Sequence, residues 1–133
     1  MSAIQRPLAV MMRPVVHTIG PDATVAEAAC QMRDAKVGAL LLRAEQQTVG
    51  IVSESDLVRK VLAESLAPGA TPVRAVMSAP VVTIDIGATA HEASDRMAEA
   101  GIRHLAVVEG GVVVGLVSVR DLLRYYKNWG NQW

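Results

Sequence analysis

Slid against itself by 65 positions, the chain matches without a gap from Thr18/Thr83 to Arg59/Arg124. The shared residues include Ile19/Ile84, Thr24/Thr89, Glu27/Glu92, Ala28/Ala93, Met32/Met97 and Leu40/Leu105. They continue through Val49/Val114, Gly50/Gly115, Val52/Val117, Ser53/Ser118, Asp56/Asp121 and Leu57/Leu122. Upstream, MRPVV and SAPVV also correspond if one residue is inserted. A repeat constrains the fold more than any single motif, because each copy must build the same unit. The period exceeds that of most solenoids and only two copies are present, so a pseudo-two-fold pair is expected rather than an open array.

Each copy reads alike. A β-rich start (Val15 to Ile19; Val81 to Ile84) leads to Thr-x-x-Glu, Thr24/Glu27 and Thr89/Glu92. That spacing is a capping box, in which two side chains satisfy unpaired amides of a helical first turn. The helix that follows places Val25, Ala28, Ala29, Met32 and Ala35 on one face, and its counterpart Ala90, Ala93, Met97 and Ala100. Two apolar strands come next: Ala39 to Arg43 with Val49 to Val52, and Leu105 to Val108 with Val112 to Val117. Glu109-Gly110-Gly111 signals a hairpin, since glycine accepts positive φ; the first copy has Glu45-Gln46-Gln47 there. A Ser-x-x-Asp helix closes each copy. Between them, Leu66 to Pro72 reads as a linker, with Thr71 capping a short helix that runs to Met77.

The expected class is therefore α/β, with two β-α-β-β-α repeats over residues 8–65 and 74–127, a linker at 66–73 and a tail at 128–133. Two small sheets, each with one helical face, bury their surfaces best against each other. Neither half looks able to stand alone at ~60 residues.

Bulk properties exclude several function classes. The 133 residues are 51% apolar, and 13 Lys and Arg balance 13 Asp and Glu. A folded, soluble protein fits these values. A general nucleic-acid binder needs a basic surface to release counterions, and balanced charge argues against one. The longest apolar runs, such as Val37 to Leu42, fall far below the ~20 residues that span a bilayer. No signal-peptide pattern opens the chain, so a cytoplasmic protein without a membrane partner is the plain expectation. Cys30 cannot form an internal disulfide, and its neighbours Ala28, Ala29 and Met32 point to a buried small residue. Phe is absent, and Tyr125, Tyr126, Trp129 and Trp133 all fall at the end of the chain, where they are expected to pack on this chain or on a second copy.

The two G-h-V-S-x-x-D segments, Gly50 to Asp56 and Gly115 to Asp121, occur with VMSAPVVTI at Val76 to Ile84 and GIRHLAVV at Gly101 to Val108. Together they resemble the CBS domain pair, or Bateman module, named for cystathionine β-synthase. The resemblance covers about residues 8 to 127 and implies a stand-alone tandem protein that dimerises. It also implies clefts between the repeats that take adenosine-containing ligands such as AMP, ADP or ATP, with no cofactor required. Bound ligand would then regulate a partner protein whose identity the sequence does not reveal.

Ser-x-x-Asp at a strand-to-helix junction is itself a capping box, with Ser as N-cap and Asp reaching back to the cap amide. The resemblance implies instead that Asp accepts hydrogen bonds from ribose hydroxyls and that Ser meets phosphate at the helix N-terminus. Both roles coexist if Ser caps while Asp turns outward. On the family pattern one cleft combines Ser118, Arg120, Asp121, Arg103 and His104 with Val37, Gly38 and Ala39, and Val16-His17-Thr18 lends backbone to adenine. The other combines Ser53, Ser55 and Asp56 with Ser78, Val82 and Ile102. The first is ranked higher for a phosphorylated ligand, because Arg103-His104 stands where the other copy has Gly38-Ala39. His104 also has a plainer reading, as a donor to a backbone carbonyl.

No nucleophile–base–orienter set, phosphate-cradling glycine loop or metal-ligand spacing occurs, and no enzyme activity is expected. The contrasting reading is a non-catalytic dimeric scaffold with empty clefts that uses its aromatic end to engage a partner.

Overall fold

The computed structural model describes residues 6–129, except the Trp129 side chain. Thr24 and Thr89 each start the helix that precedes the strand pair of their repeat, each hydroxyl accepting the amide of the glutamate three residues on, at 3.1 and 3.0 Å. Glu27 and Glu92 complete the cap by bonding the threonine hydroxyls, at 3.3 and 3.2 Å. The elements in order are α1 (Pro7–Met11), β1 (Thr18–Ile19), α2 (Val25–Ala35), β2 (Ala39–Ala44), β3 (Gln47–Ser53) and α3 (Glu54–Asp56). The last continues as π-helical turns over Leu57–Leu62. Short 3-10 turns at Pro68–Ala70 and Val73–Ala75 lead to β4 (Thr83–Asp85), α4 (Ala90–Ala100), β5 (His104–Glu109), β6 (Val112–Ser118) and α5 (Val119–Trp129).

Each repeat carries a three-stranded sheet, ordered β1-β2-β3 and β4-β5-β6. The first pairing in each is parallel and the second antiparallel, with an irregularity after Leu42 in one and after Val107 in the other. The expected β-α-β-β-α order is therefore present twice. The opening strands are shorter than the β-rich stretches suggested, and α1, with Pro7 at its start, opens the first repeat unforeseen.

The chain forms two compact units, cut differently from the sequence repeats. One runs His17–Val81; the other joins the segment ending at Val16 to the chain from Val82 onward. Each unit thus takes in the first residues of the opposite repeat. In the first, Ser78 bridges the β3 edge at Ile51; in the second, Arg13 bridges the β6 edge at Leu116.

These crossings explain the glycine of each Gly-h-Val-Ser motif. A Cβ on Gly50 would lie 2.5 Å from Met77 Sδ and 3.1 Å from the Ser78 carbonyl oxygen. On Gly115 it would lie 2.5 Å from Met12 Sδ and 2.9 Å from the Arg13 carbonyl oxygen. The motif's glycine admits a backbone; it is not reserved for a ligand.

Each unit has its own core. One gathers Ile19, Val25, Ala28, Met32, Leu40, Val52 and Val61 with Val73 and Val76 from after the linker. The other gathers Ile84, Ala93, Met97, Leu105, Val117 and Leu122 with Leu8 and Met11 from α1. Tyr125 and Tyr126 lie half-buried against the second core, their rings 5.7 Å apart and edge-on. The Trp129 side chain and Trp133, the rest of the aromatic end, lie outside the described residues.

Three local expectations need correction. Cys30 is exposed, because the buried stripe of α2 is narrow: Val25, Ala28 and Met32 face inward, while Ala29 and Cys30 lie beyond its edge. Ala100 of α4 is likewise exposed. Thr71 does not cap the turn after the linker; its hydroxyl donates to the Ala67 carbonyl at 2.8 Å, and Pro72 holds the cap position.

Candidate functional site

The motif aspartates sit where a strand turns into a helix, and the sequence makes that turn the same way twice. In the first unit the Ser53 hydroxyl accepts the Asp56 amide at 3.3 Å, while Asp56 Oδ2 accepts the Ser53 amide at 2.9 Å and its hydroxyl at 3.1 Å. In the second, the Ser118 hydroxyl accepts the Asp121 amide at 3.1 Å, and Asp121 Oδ2 accepts the Ser118 amide at 2.8 Å and hydroxyl at 2.9 Å. Neither aspartate turns fully outward as expected. Both close a capping box, because a carboxylate at N3 meets the cap amide without leaving its own turn. The serine hydroxyls are engaged within the same box.

Each carboxylate keeps a second oxygen, and here the repeats part. Asp56 Oδ1 is 3.0 Å from Lys60 Nζ, one helical turn on. That ammonium also donates to the Val76 carbonyl at 3.1 Å. Asp121 Oδ1 is buried and has no hydrogen-bond partner among the described residues. Its nearest cations are Arg124 at 3.8 Å and Arg13 at 3.9 Å, beyond hydrogen-bond reach. The Asp121 side chain is 1% exposed, whereas those of Arg13 and Arg124 are 45% and 59% exposed. A buried acceptor without a donor costs about 1–3 kcal/mol, and more when charged. Such an atom calls for an explanation.

The other expected site residues divide between the units. In the second, His104 pairs across the strands with Ser118, and the Arg103 carbonyl accepts the Val119 amide at 3.0 Å. Arg103 and Arg120 are exposed, His104 and Ile102 half-buried, and the Val82 carbonyl accepts the Ala106 amide at 3.1 Å. Val16 closes the segment that joins this unit. In the first, Ala39 is the strand partner of Ser53, and the Gly38 carbonyl accepts the Glu54 amide at 3.0 Å. His17 contributes a carbonyl to Leu41, Thr18 starts β1, Val37 borders the core, and Ser55 and Ser78 are exposed. Ser118, Asp121, Arg103 and His104 therefore gather at one β6–α5 junction, and Ser53, Asp56, Gly38 and Ala39 at the equivalent β3–α3 junction.

Three neighbours of the aspartates went unnoticed in the sequence. Lys60 and Arg124 stand four and three residues beyond them, spacings that place side chains on one helical face. Arg13 lies far away in the chain and reaches Asp121 only because its segment lies along β6. Among the described residues no three His, Cys, Asp or Glu side chains gather as metal ligands would. No described helix is long and apolar enough to cross a membrane.

Comparison with known proteins places both junctions in one family. The model of the CBS domain matches residues 8–63 and again 73–128. The CBS domain-containing protein YhcV of Bacillus subtilis is 32% identical over 111 residues, 84% of this chain and 79% of YhcV. An uncharacterized protein of Methanopyrus kandleri is 34% identical over 111 residues, 82% of this chain. The chain spans 57% of that relative and 30% of one from Methanocaldococcus jannaschii. Among solved structures, a hexameric CBS-CP12 protein from bloom-forming cyanobacteria superposes with a TM-score of 0.84 at 30% identity, covering 97% of this chain and 74% of that one. A CBS domain protein of Pyrobaculum aerophilum complexed with AMP gives 0.77 at 26% identity, covering 93% and 99%.

Proposed function

Since the chain belongs to the CBS-domain family, we propose that it is a regulatory module that binds an adenosine-containing nucleotide through Asp121 and signals to a partner protein. The observation that carries this reading is the unpartnered Asp121 Oδ1, flanked by Arg13 and Arg124. A ribose hydroxyl supplies the donor this oxygen lacks, while Oδ2 keeps its place in the helix cap. The arginines, close but unbonded, are placed to turn from the carboxylate toward a phosphate, where a guanidinium bonds bidentately. Arg103, Arg120 and His104 add donors around the same junction. The AMP held by the Pyrobaculum relative supports an adenine nucleotide. CBS-domain chains are in general regulatory rather than catalytic, and no enzyme activity is proposed.

A thermal-shift screen of AMP, ADP, ATP, S-adenosylmethionine and NADH tests this reading. A ligand at a hundred times its Kd adds about 2.7 kcal/mol, or roughly 10 °C for a chain of this size. Unchanged melting with all five would reject it.

We assign the functional form to a homodimer. The closing helix of each repeat leaves large aliphatic side chains in solvent, Leu62 at 66% and Leu123 at 65% exposure, with Val58 at 56%. Such faces are what a second copy would cover. Sedimentation equilibrium is expected to give twice the chain mass, falling to the chain mass in Leu62→Glu or Leu123→Glu. A monomer in the unaltered protein would contradict the assignment.

A further inference from the structure

The repeats carry the same Ser-x-x-Asp box, yet among the described residues it is Asp121 whose second oxygen is buried without a hydrogen-bond partner, while that of Asp56 is ion-paired. The difference traces to one position. Four residues beyond Asp56 stands Lys60; four beyond Asp121 stands Tyr125, which is half-buried against the second core. Lys60 Nζ forms an ion pair with Asp56 Oδ1 at 3.0 Å and donates to the Val76 carbonyl at 3.1 Å, both within its own unit. With Oδ2 in the cap and Oδ1 on the ammonium, Asp56 has both oxygens occupied.

We infer that Lys60 is a built-in occupant of the first repeat's aspartate, which makes the two repeats unequal and directs nucleotide to Asp121. The inference rests on the nucleotide reading above and adds the residue that decides between the sites. An incoming ribose at Asp56 must displace an ion-paired ammonium before forming its own hydrogen bond. At Asp121 no cation stands so close among the described residues, Arg124 and Arg13 lying 3.8 and 3.9 Å away. The ammonium also ties Asp56 to Val76, so displacing it loosens the start of the segment that runs through Ser78 to the β3 edge. Lys60 therefore sets site preference without itself being needed at Asp121.

Calorimetric titration with AMP tests the inference on the unaltered chain, on Lys60→Tyr, and on Lys60→Tyr combined with Asp56→Ala. Lys60→Met, which keeps the aliphatic stem, serves as a second substitution in case tyrosine packs badly. The unaltered chain should bind one AMP per chain, at an affinity that Asp56→Ala leaves unchanged. Either Lys60 variant should show a second binding event, with at least tenfold tighter affinity at Asp56 than before, a difference of about 1.4 kcal/mol. Adding Asp56→Ala should remove it. A stoichiometry that stays at one in both Lys60 variants overturns the inference while leaving the nucleotide reading intact. So does an unaltered chain that binds two and loses one with Asp56→Ala. Absence of AMP binding in every form rejects the nucleotide reading and this inference together.

Discussion

Asp121→Ala should weaken nucleotide binding ten- to a hundred-fold while leaving the protein folded. The effect on binding follows from hydrogen bonds to a charged acceptor, each contributing about 1.5–3 kcal/mol, so that losing even one shifts affinity by that factor. The effect on folding is smaller, for two opposed reasons. Removing an N3 carboxylate breaks the cap with Ser118, costing about 1 kcal/mol. It also removes a buried oxygen that has no donor, which offsets part of that loss. Asp56→Ala should cost a similar cap, lose the Lys60 pair, and leave affinity at Asp121 as it was. Calorimetry with urea denaturation on both variants separates the two roles. Equal affinity in Asp121→Ala and the unaltered chain would return this aspartate to a purely structural part.

Leu8→Ala should cost about 2–5 kcal/mol, a large share of the ~5–15 kcal/mol that holds a domain of this kind together. Leu8 belongs to α1, at the start of the first repeat, and is fully buried in the core of the second beside Met11, Leu105 and Val117. Truncation there leaves a cavity among side chains anchored to β5, β6 and α5, which have little freedom to collapse into it. Val10, in the same short helix but 56% exposed, is the internal control: Val10→Ala should stay within about 0.5 kcal/mol. Urea midpoints at unchanged m-value report both. A Leu8→Ala loss no larger than that of Val10→Ala would mean α1 is not part of the second core. The prediction also bears on function, because the segment holding Leu8 brings Arg13 to Asp121.

What the sequence made legible was local. The 65-residue register, the Thr-x-x-Glu caps and the strand pairs each depend on residues close in the chain, and each is present. The Gly110-Gly111 turn is likewise present, both residues at positive φ. Its counterpart uses Glu45 and Gln46 at positive φ, where neither residue type signals the turn. What escaped was set by long-range packing. Nothing in MRPVV tells which sheet edge it will follow, so Arg13 could not be joined to Asp121 in advance. Cys30 is exposed although its neighbours are small, because the helical stripe passes through Ala28 to Met32. The aspartates were the hardest case. A Ser-x-x-Asp motif fits a cap and, on the proposed reading, a ribose acceptor, and the structure shows the cap using one oxygen and leaving the other to its surroundings. The i+4 position held that distinction: Lys60 satisfies one aspartate, and Tyr125 does not occupy the other.

The most direct test of the central claim, that Asp121 grips the sugar of an adenine nucleotide, is a calorimetric comparison of AMP with 2′,3′-dideoxy-AMP. If ribose hydroxyls fill the vacancy at Oδ1, the dideoxy compound should bind at least tenfold more weakly, and the difference should vanish in Asp121→Ala. Equal affinity for the two compounds in the unaltered chain would contradict the account.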